Sequence, residues 1–87
     1  VYNRTRSKAD EWAEKYPGSV ATDLKSAVAD ADIVLMCLGN DQSVEASLIG
    51  EHGALAAMRP GTIIVDHTTT SAKIAKAMSV AAREAGL

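Results

Sequence analysis

Residues 32–38, DIVLMCL, form a continuous apolar run that decides the fold class of this chain. The run begins at a carboxylate, Asp32, and ends at the polar turn of residues 39–41, GND. Such a run predicts a parallel β-strand covered on both faces, because a half-exposed strand alternates apolar with polar residues. Residues 62–66, TIIVD, have the same character and predict a second buried strand.

Extended and helical segments alternate on either side of these strands. Val1–Asn3 has the composition of a strand end, and residues 19–21 form a short strand candidate. Apolar residues at intervals of three and four predict helices in between. The predicted helical segments are residues 6–16, 24–31, 42–49, 53–58 and 72–85, and the predicted N-caps are Thr5, Thr22, Asp41 and Ser71. This alternation predicts an α/β fold with a parallel sheet and right-handed crossovers.

The composition limits the classes of protein to which the chain can belong. Its 87 residues predict one small domain, and an apolar share of 47 % argues against disorder. The net charge of −2 gives no electrostatic reason to expect a nucleic acid or a membrane surface as partner. No apolar run approaches the roughly 20 residues of a membrane span. The single cysteine, Cys37, cannot form an internal disulfide, so we expect a cytoplasmic location and a place for Cys37 in the core.

Three short polar loops follow the predicted strands. They are residues 3–5, NRT; residues 39–41, GND; and residues 66–70, DHTTT. A parallel sheet binds its ligands beyond the carboxyl ends of its strands, so we expect the functional site where these loops meet.

The first of these loops favours a phosphorylated ligand. In a dinucleotide-binding sheet the end of the second strand meets the adenosine ribose, where a carboxylate selects NAD and an arginine accommodates the 2′-phosphate of NADP. Asn3 stands at this position instead of a carboxylate, and Arg4 can form a charge-assisted, bidentate pair with a phosphate. The loop thus favours NADP over NAD. The alternative is that its residues only cap the following helix.

Hydroxyl groups crowd the third loop, where Thr68 to Ser71 follow Asp66 and His67. Such hydroxyls can hold a carboxylate or a phosphate through their own donors and the nearby backbone N–H groups. The alternative is a capping cluster in which Asp66 orients the turn. Because the two histidines are far apart in the sequence and the cysteine belongs to the apolar run, we expect no metal site.

Taken together, the loops resemble the β-hydroxyacid dehydrogenase family, which includes 3-hydroxyisobutyrate dehydrogenase, tartronate semialdehyde reductase and the cofactor domain of 6-phosphogluconate dehydrogenase. The resemblance extends over essentially the whole chain and is carried by VYNRTRSKA, DADIVLMCLGND, GALAAMRPGTIIVDHTTTSA and AREAGL. It implies that residues 1–87 form a partial NAD(P)-binding domain with a Rossmann-type, doubly wound parallel sheet. The first βα unit, with its glycine-rich turn, would lie before Val1.

The resemblance also implies roles for single residues. The positions that match the family's cofactor-binding residues are Asn3, Arg4, Thr5, Leu38, Gly39, Asn40, Val44 and Thr69. Thr68 matches a serine that contacts the substrate carboxylate, and Thr69 matches the neighbouring residue near the nicotinamide. Gly39 stands where the family more often has proline, a departure that loosens the loop after the strand.

The activity that the resemblance implies is hydride transfer between NADP and a 3-hydroxy acid or its semialdehyde. The family's catalytic lysine would lie beyond Leu87, so the 87 residues alone are expected to be inactive. A C-terminal domain outside this chain would make the parent protein a homo-oligomer. Two alternatives stay open. One is a non-catalytic regulatory or binding module, such as a receiver-like domain, although MCLGN ends without the aspartate that a receiver needs. The other is an imine-reducing relative on the same fold.

Overall fold

The computed structural model describes all 87 residues, and its regular elements alternate between helix and strand. Two strands, β1 and β2, pair in parallel, with Ile33 opposite Ile63 at one end and Met36 opposite Asp66 at the other. The elements in chain order are α1 (Arg6–Lys15), α2 (Leu24–Val28), β1 (Ile33–Met36), α3 (Asp41–Ile49), a 3-10 turn (Leu55–Ala57), β2 (Ile63–Asp66) and α4 (Ala72–Glu84). The predicted parallel α/β arrangement is therefore present.

The two predicted strands near the N-terminus are not regular strands. The amino group of Val1 donates to the carbonyl oxygen of Ser19 (2.7 Å), and the N–H of Ala21 donates to the carbonyl oxygen of Val1 (2.8 Å). These bonds follow the parallel pattern, in which one residue bonds to two residues of its neighbour. No further bond follows this pattern. The paired segment is therefore too short to form a regular strand.

The core lies between one face of the two-stranded sheet and the helices that follow the strands. Its fully buried members are aliphatic residues, alanine and methionine, as the low aromatic content requires. They are Val28, Val44, Leu48, Ala54, Leu55, Met58 and Met78. Val34, Met36 and Ile64 contact this cluster from the sheet. The side chains of α3 and α4 therefore pack against the same face of the sheet as the 3-10 turn.

The prediction that both strands are covered on both faces is wrong for this chain. Side chains alternate across a strand, so the residues next to the buried ones point the other way. Ile33, Leu35 and Ile63 are 57 %, 69 % and 58 % exposed. Cys37 continues this alternation and is exposed as well, so its predicted place in the core is also wrong.

Two predicted caps are displaced by one residue. Asp23, not Thr22, caps α2 by accepting from the N–H of Ser26 (2.8 Å). Likewise Asn40, not Asp41, caps α3. In both places the residue whose side-chain oxygen reaches the N–H three positions later becomes the N-cap, and only the backbone path into the helix decides which residue that is.

The helix predicted over residues 24–31 ends at Val28, and the one predicted over residues 53–58 is only the 3-10 turn, whereas both ends of α4 agree with the prediction. Ser71 caps α4 by accepting from the N–H of Ile74 (3.2 Å), and Gly86 follows that helix with φ +82°. Thr5 occupies the N-cap position of α1, but its side chain makes no capping hydrogen bond. None of the four helices combines the length and apolar character that crossing a membrane requires.

Candidate functional site at the carboxyl ends of the strands

The segments that follow β1 and β2 are joined to each other by hydrogen bonds. The N–H of His67 donates to the carbonyl oxygen of Met36 (2.8 Å), which extends the sheet by one bond. Beyond it, the N–H of Leu38 donates to Oγ1 of Thr68 (2.9 Å). We call residues 36–41 and 66–71 together the tethered corner. Two of the three predicted loops therefore form one structural unit.

Thr68 is the pivot of the tethered corner. Its hydroxyl oxygen accepts from Leu38 while its own N–H donates to Oδ1 of Asp66 (2.9 Å), so both its side chain and its backbone are held. The hydroxyl proton takes no part in either bond. Thr68 is half-buried, and that proton is available to an acceptor such as a carboxylate.

The next residues are less constrained. The side chains of Thr69 and Thr70 make no hydrogen bond within the chain, and Thr69 is exposed whereas Thr70 is half-buried. Their hydroxyl groups are thus free to donate or accept at the edge of the sheet where ligands of such folds bind.

A carboxylate closes the far end of the corner. Oδ1 of Asp41 accepts from the N–H of Ser71 (3.0 Å), and Oδ2 accepts from the Ser71 hydroxyl. These bonds stabilise the ionised carboxylate, so they hold the pKa of Asp41 below its usual value of 3.8, although solvent reaches the group. Asp41 and Ser71 begin two different helices, α3 and α4, and the pair joins their N-termini.

The predicted cofactor residues Gly39 and Asn40 lie on the outer side of this corner. Oδ1 of Asn40 is occupied as the cap of α3, where it accepts from the N–H of Ser43 (2.8 Å), which leaves its amide nitrogen as a free donor. Gly39 has open space around it, since a Cβ placed there would meet no atom within 4 Å. A ligand can therefore approach the backbone at this turn.

The loop of residues 3–5, which we call the arginine loop, is held only by itself. Oδ1 of Asn3 accepts from the N–H of Thr5 (2.8 Å), a local turn to which the Arg4 side chain contributes no hydrogen bond. Arg4 is exposed and pairs with no carboxylate, whereas Arg6 pairs with Asp10 at 3.0 Å. Among these two neighbouring arginines, Arg4 is the one free to bind an anion.

A groove of about 960 Å³ runs between the arginine loop and β1. We use the name polar end for five of its polar lining residues: Asn3, Arg4 and Lys8 from the arginine loop and α1, and Asn40 and Ser43 from the start of α3. The rest of the wall is mostly apolar and follows the edge of β1 that is not paired with β2. Side chains that can donate hydrogen bonds to an anionic ligand are therefore present at the polar end.

The structure brings most, but not all, of the predicted site residues to this groove. The predicted residues that line it are Asn3, Arg4, Thr5, Leu38, Gly39 and Asn40. Thr68 and Thr69 do not line it, although Thr68 is bonded to Leu38, which does. Val44 is 1 % exposed and belongs to the core, so its side chain does not reach the groove.

Sequence reasoning assigned no role to the polar residues of α3 that face the groove. Ser43 and Ser47 both line it, with Gln42 beside them. The available signal was the spacing of four residues between the serines, which places both hydroxyls on one side of a helix.

Comparison with known proteins agrees with this geometry. Residues 1–87 match the family model described as the NAD binding domain of 6-phosphogluconate dehydrogenase. The chain is 47 % identical over 76 residues to an uncharacterized oxidoreductase of Shewanella frigidimarina, a stretch that is 87 % of this chain and 26 % of that protein. It is 36 % identical over 69 residues to an NAD-dependent L-serine dehydrogenase of Pseudomonas aeruginosa, covering 79 % of this chain and 23 % of the relative.

The same architecture occurs in solved structures. The crystal structure of a 3-hydroxyisobutyrate dehydrogenase from Salmonella typhimurium superimposes with a TM-score of 0.85 over 99 % of this chain and 30 % of its own, at 16 % identity. That likeness confirms the predicted Rossmann-type fold. The chain spans about a quarter of the length of the curated relatives and corresponds to part of a cofactor-binding domain.

Proposed function

Because this chain belongs to the family of NAD-binding domains of 6-phosphogluconate dehydrogenase, we propose that it forms part of the NADP-binding domain of an enzyme that oxidises a 3-hydroxy acid or reduces the corresponding semialdehyde. The match over all 87 residues leaves a receiver-like regulatory module without support. An imine-reducing enzyme uses the same loops and stays an alternative. A cytoplasmic homo-oligomer is part of the same proposal.

The unpaired guanidinium of Arg4 is the observation that carries the choice of NADP. Arg4 lines the polar end of the groove together with Lys8, and no carboxylate of the chain neutralises it. Asn3 leaves this loop without the carboxylate that would repel a 2′-phosphate. A guanidinium binds such a phosphate through two parallel hydrogen bonds.

The tethered corner supports the proposed substrate class. The bound cofactor would supply the hydride chemistry, and the chain would supply hydroxyl donors beside it. The free proton of the Thr68 hydroxyl suits a substrate carboxylate, and the exposed Thr69 hydroxyl suits the nicotinamide end of the cofactor. The L-serine dehydrogenase among the relatives also acts, by its name, on a 3-hydroxy acid.

Replacing Arg4 in the full-length protein tests the cofactor assignment. We expect R4A to raise the Michaelis constant for NADP about 10- to 100-fold, the loss expected for a hydrogen-bonded charge, and to change that for NAD by less than about threefold. Steady-state kinetics with both cofactors measures this ratio.

R6A is the matched control, because it removes the same charge two residues away from a side chain that already pairs with Asp10. It should leave both constants near their wild-type values. An equal loss of affinity for NADP and NAD in R4A would contradict the assignment.

A further inference from the structure

The hydrogen bonds between Asp41 and Ser71 join residues that lie thirty positions apart in the sequence. The sequence predicts Asp41 as the cap of its own helix, but Asn40 performs that task. The carboxylate is thereby free to accept from both the backbone and the side chain of Ser71. Ser71 in turn caps α4 through Ile74, so the carboxylate holds the residue at which that helix begins.

This pair fixes one end of the segment of residues 68–71, and Thr68 fixes the other. Thr68 is held by Leu38 and Asp66, and Ser71 is held by Asp41. Only Thr69 and Thr70 lie between these anchors. A segment of two residues closed at both ends has few conformations, so the direction of its side chains depends on both anchors.

We propose that Asp41 is a positioning residue for the Thr69 hydroxyl. It does not touch the ligand; it holds Ser71, and through Ser71 it sets the path of residues 69–70 at the mouth of the site. This inference rests on the proposed function only where it assigns Thr69 to the nicotinamide end of the cofactor. The tether itself is independent of that assignment.

The D41A variant of the full-length protein tests the tether, because it removes both acceptor oxygens and leaves Ser71 able to cap α4. Hydrogen–deuterium exchange read by mass spectrometry should show about tenfold faster exchange in peptides covering residues 66–71 when two hydrogen bonds are lost. The kcat for the hydroxy acid should fall about tenfold or more, because a misplaced Thr69 hydroxyl no longer holds the reacting groups in the right geometry. The Michaelis constant for NADP should stay within about twofold of wild type. D41N keeps one acceptor oxygen and should recover part of both effects.

E45A is the matched control, since Glu45 is an exposed carboxylate one turn further along α3 and makes no hydrogen bond or ion pair. It should match wild type in both measurements.

Unchanged exchange at residues 66–71 in D41A would overturn the tether. Faster exchange with unchanged kcat would overturn the positioning role. If the wild-type protein oxidises no hydroxy acid with either cofactor, the proposed function fails, whereas the exchange measurement still decides the tether.

Discussion

The tethered corner and the arginine loop lie at the same edge of the molecule but are built in opposite ways. In the corner, residues of 36–41 bond to residues of 67–71 at several points along both segments, so two chain segments hold each other. In the arginine loop the only side-chain hydrogen bond joins Asn3 to Thr5, two residues away. The corner is thus held by hydrogen bonds without a ligand, whereas the Arg4 side chain makes no hydrogen bond or ion pair within the chain.

This difference predicts how each region contributes to binding. Groups that are held in place lose little conformational freedom when a ligand binds. An exposed arginine loses up to about 2 kcal/mol of rotamer entropy when it is ordered, which reduces the net gain from its charge. The corner is therefore suited to orientation, and the arginine loop to recognition of charge.

The largest expected effect on stability comes from breaking the pivot of the corner. T68V keeps the shape of the side chain but removes the oxygen that accepts from Leu38, so a half-buried N–H loses its partner. We expect the free energy of unfolding to fall by about 1–3 kcal/mol. T69V, one residue further on, removes an unbonded exposed hydroxyl and should change it by less than about 0.5 kcal/mol. Urea denaturation of both variants measures the difference, and equal effects would contradict the pivot role.

An intermediate effect is expected from the pH dependence of the Asp41 tether. The pKa of Asp41 is lowered in the folded state, so its ionised carboxylate stabilises the fold at pH values above 3.8 and this contribution is lost as the pH falls through the lowered value. Wild type should be more stable than D41N at neutral pH, and the two should converge in acid.

Thermal unfolding at a series of pH values measures this convergence. Asp23 also has a lowered pKa, because it accepts from Ser26, but it is present in both proteins and cancels in the comparison. A constant difference between wild type and D41N at all pH values would show that the charge of Asp41 does not matter for stability.

The smallest expected effect concerns the arginine loop. N3A removes the bond to the N–H of Thr5, but both groups are exposed and water replaces the lost partner. The free energy of unfolding should therefore change by less than about 0.5 kcal/mol. Denaturation of N3A beside T68V gives the contrast directly, and a loss as large as that of T68V would show that the arginine loop is as firmly built as the corner.

Sequence reasoning succeeded where the controlling interactions are local. The apolar runs identified β1 and β2 within about two residues, and Ser71 and Gly86 marked the ends of α4. It failed at Asp41, since an acidic residue at the start of a helix can act either as its cap or as a tether to another segment. Which role the carboxylate takes depends on a serine thirty residues away.

The amino-acid sequence alone determined that strands and helices alternate, and hence that the polar loops after β1 and β2 meet at one edge of a parallel sheet. That conclusion needs only periodicity and the direction of the chain, which act over a few residues. Only the tertiary structure decided that one face of the sheet is open, that Val44 packs inward and that Asp41 binds Ser71. These features depend on how segments far apart in the chain pack together, and a contact between distant segments leaves no local pattern in the sequence.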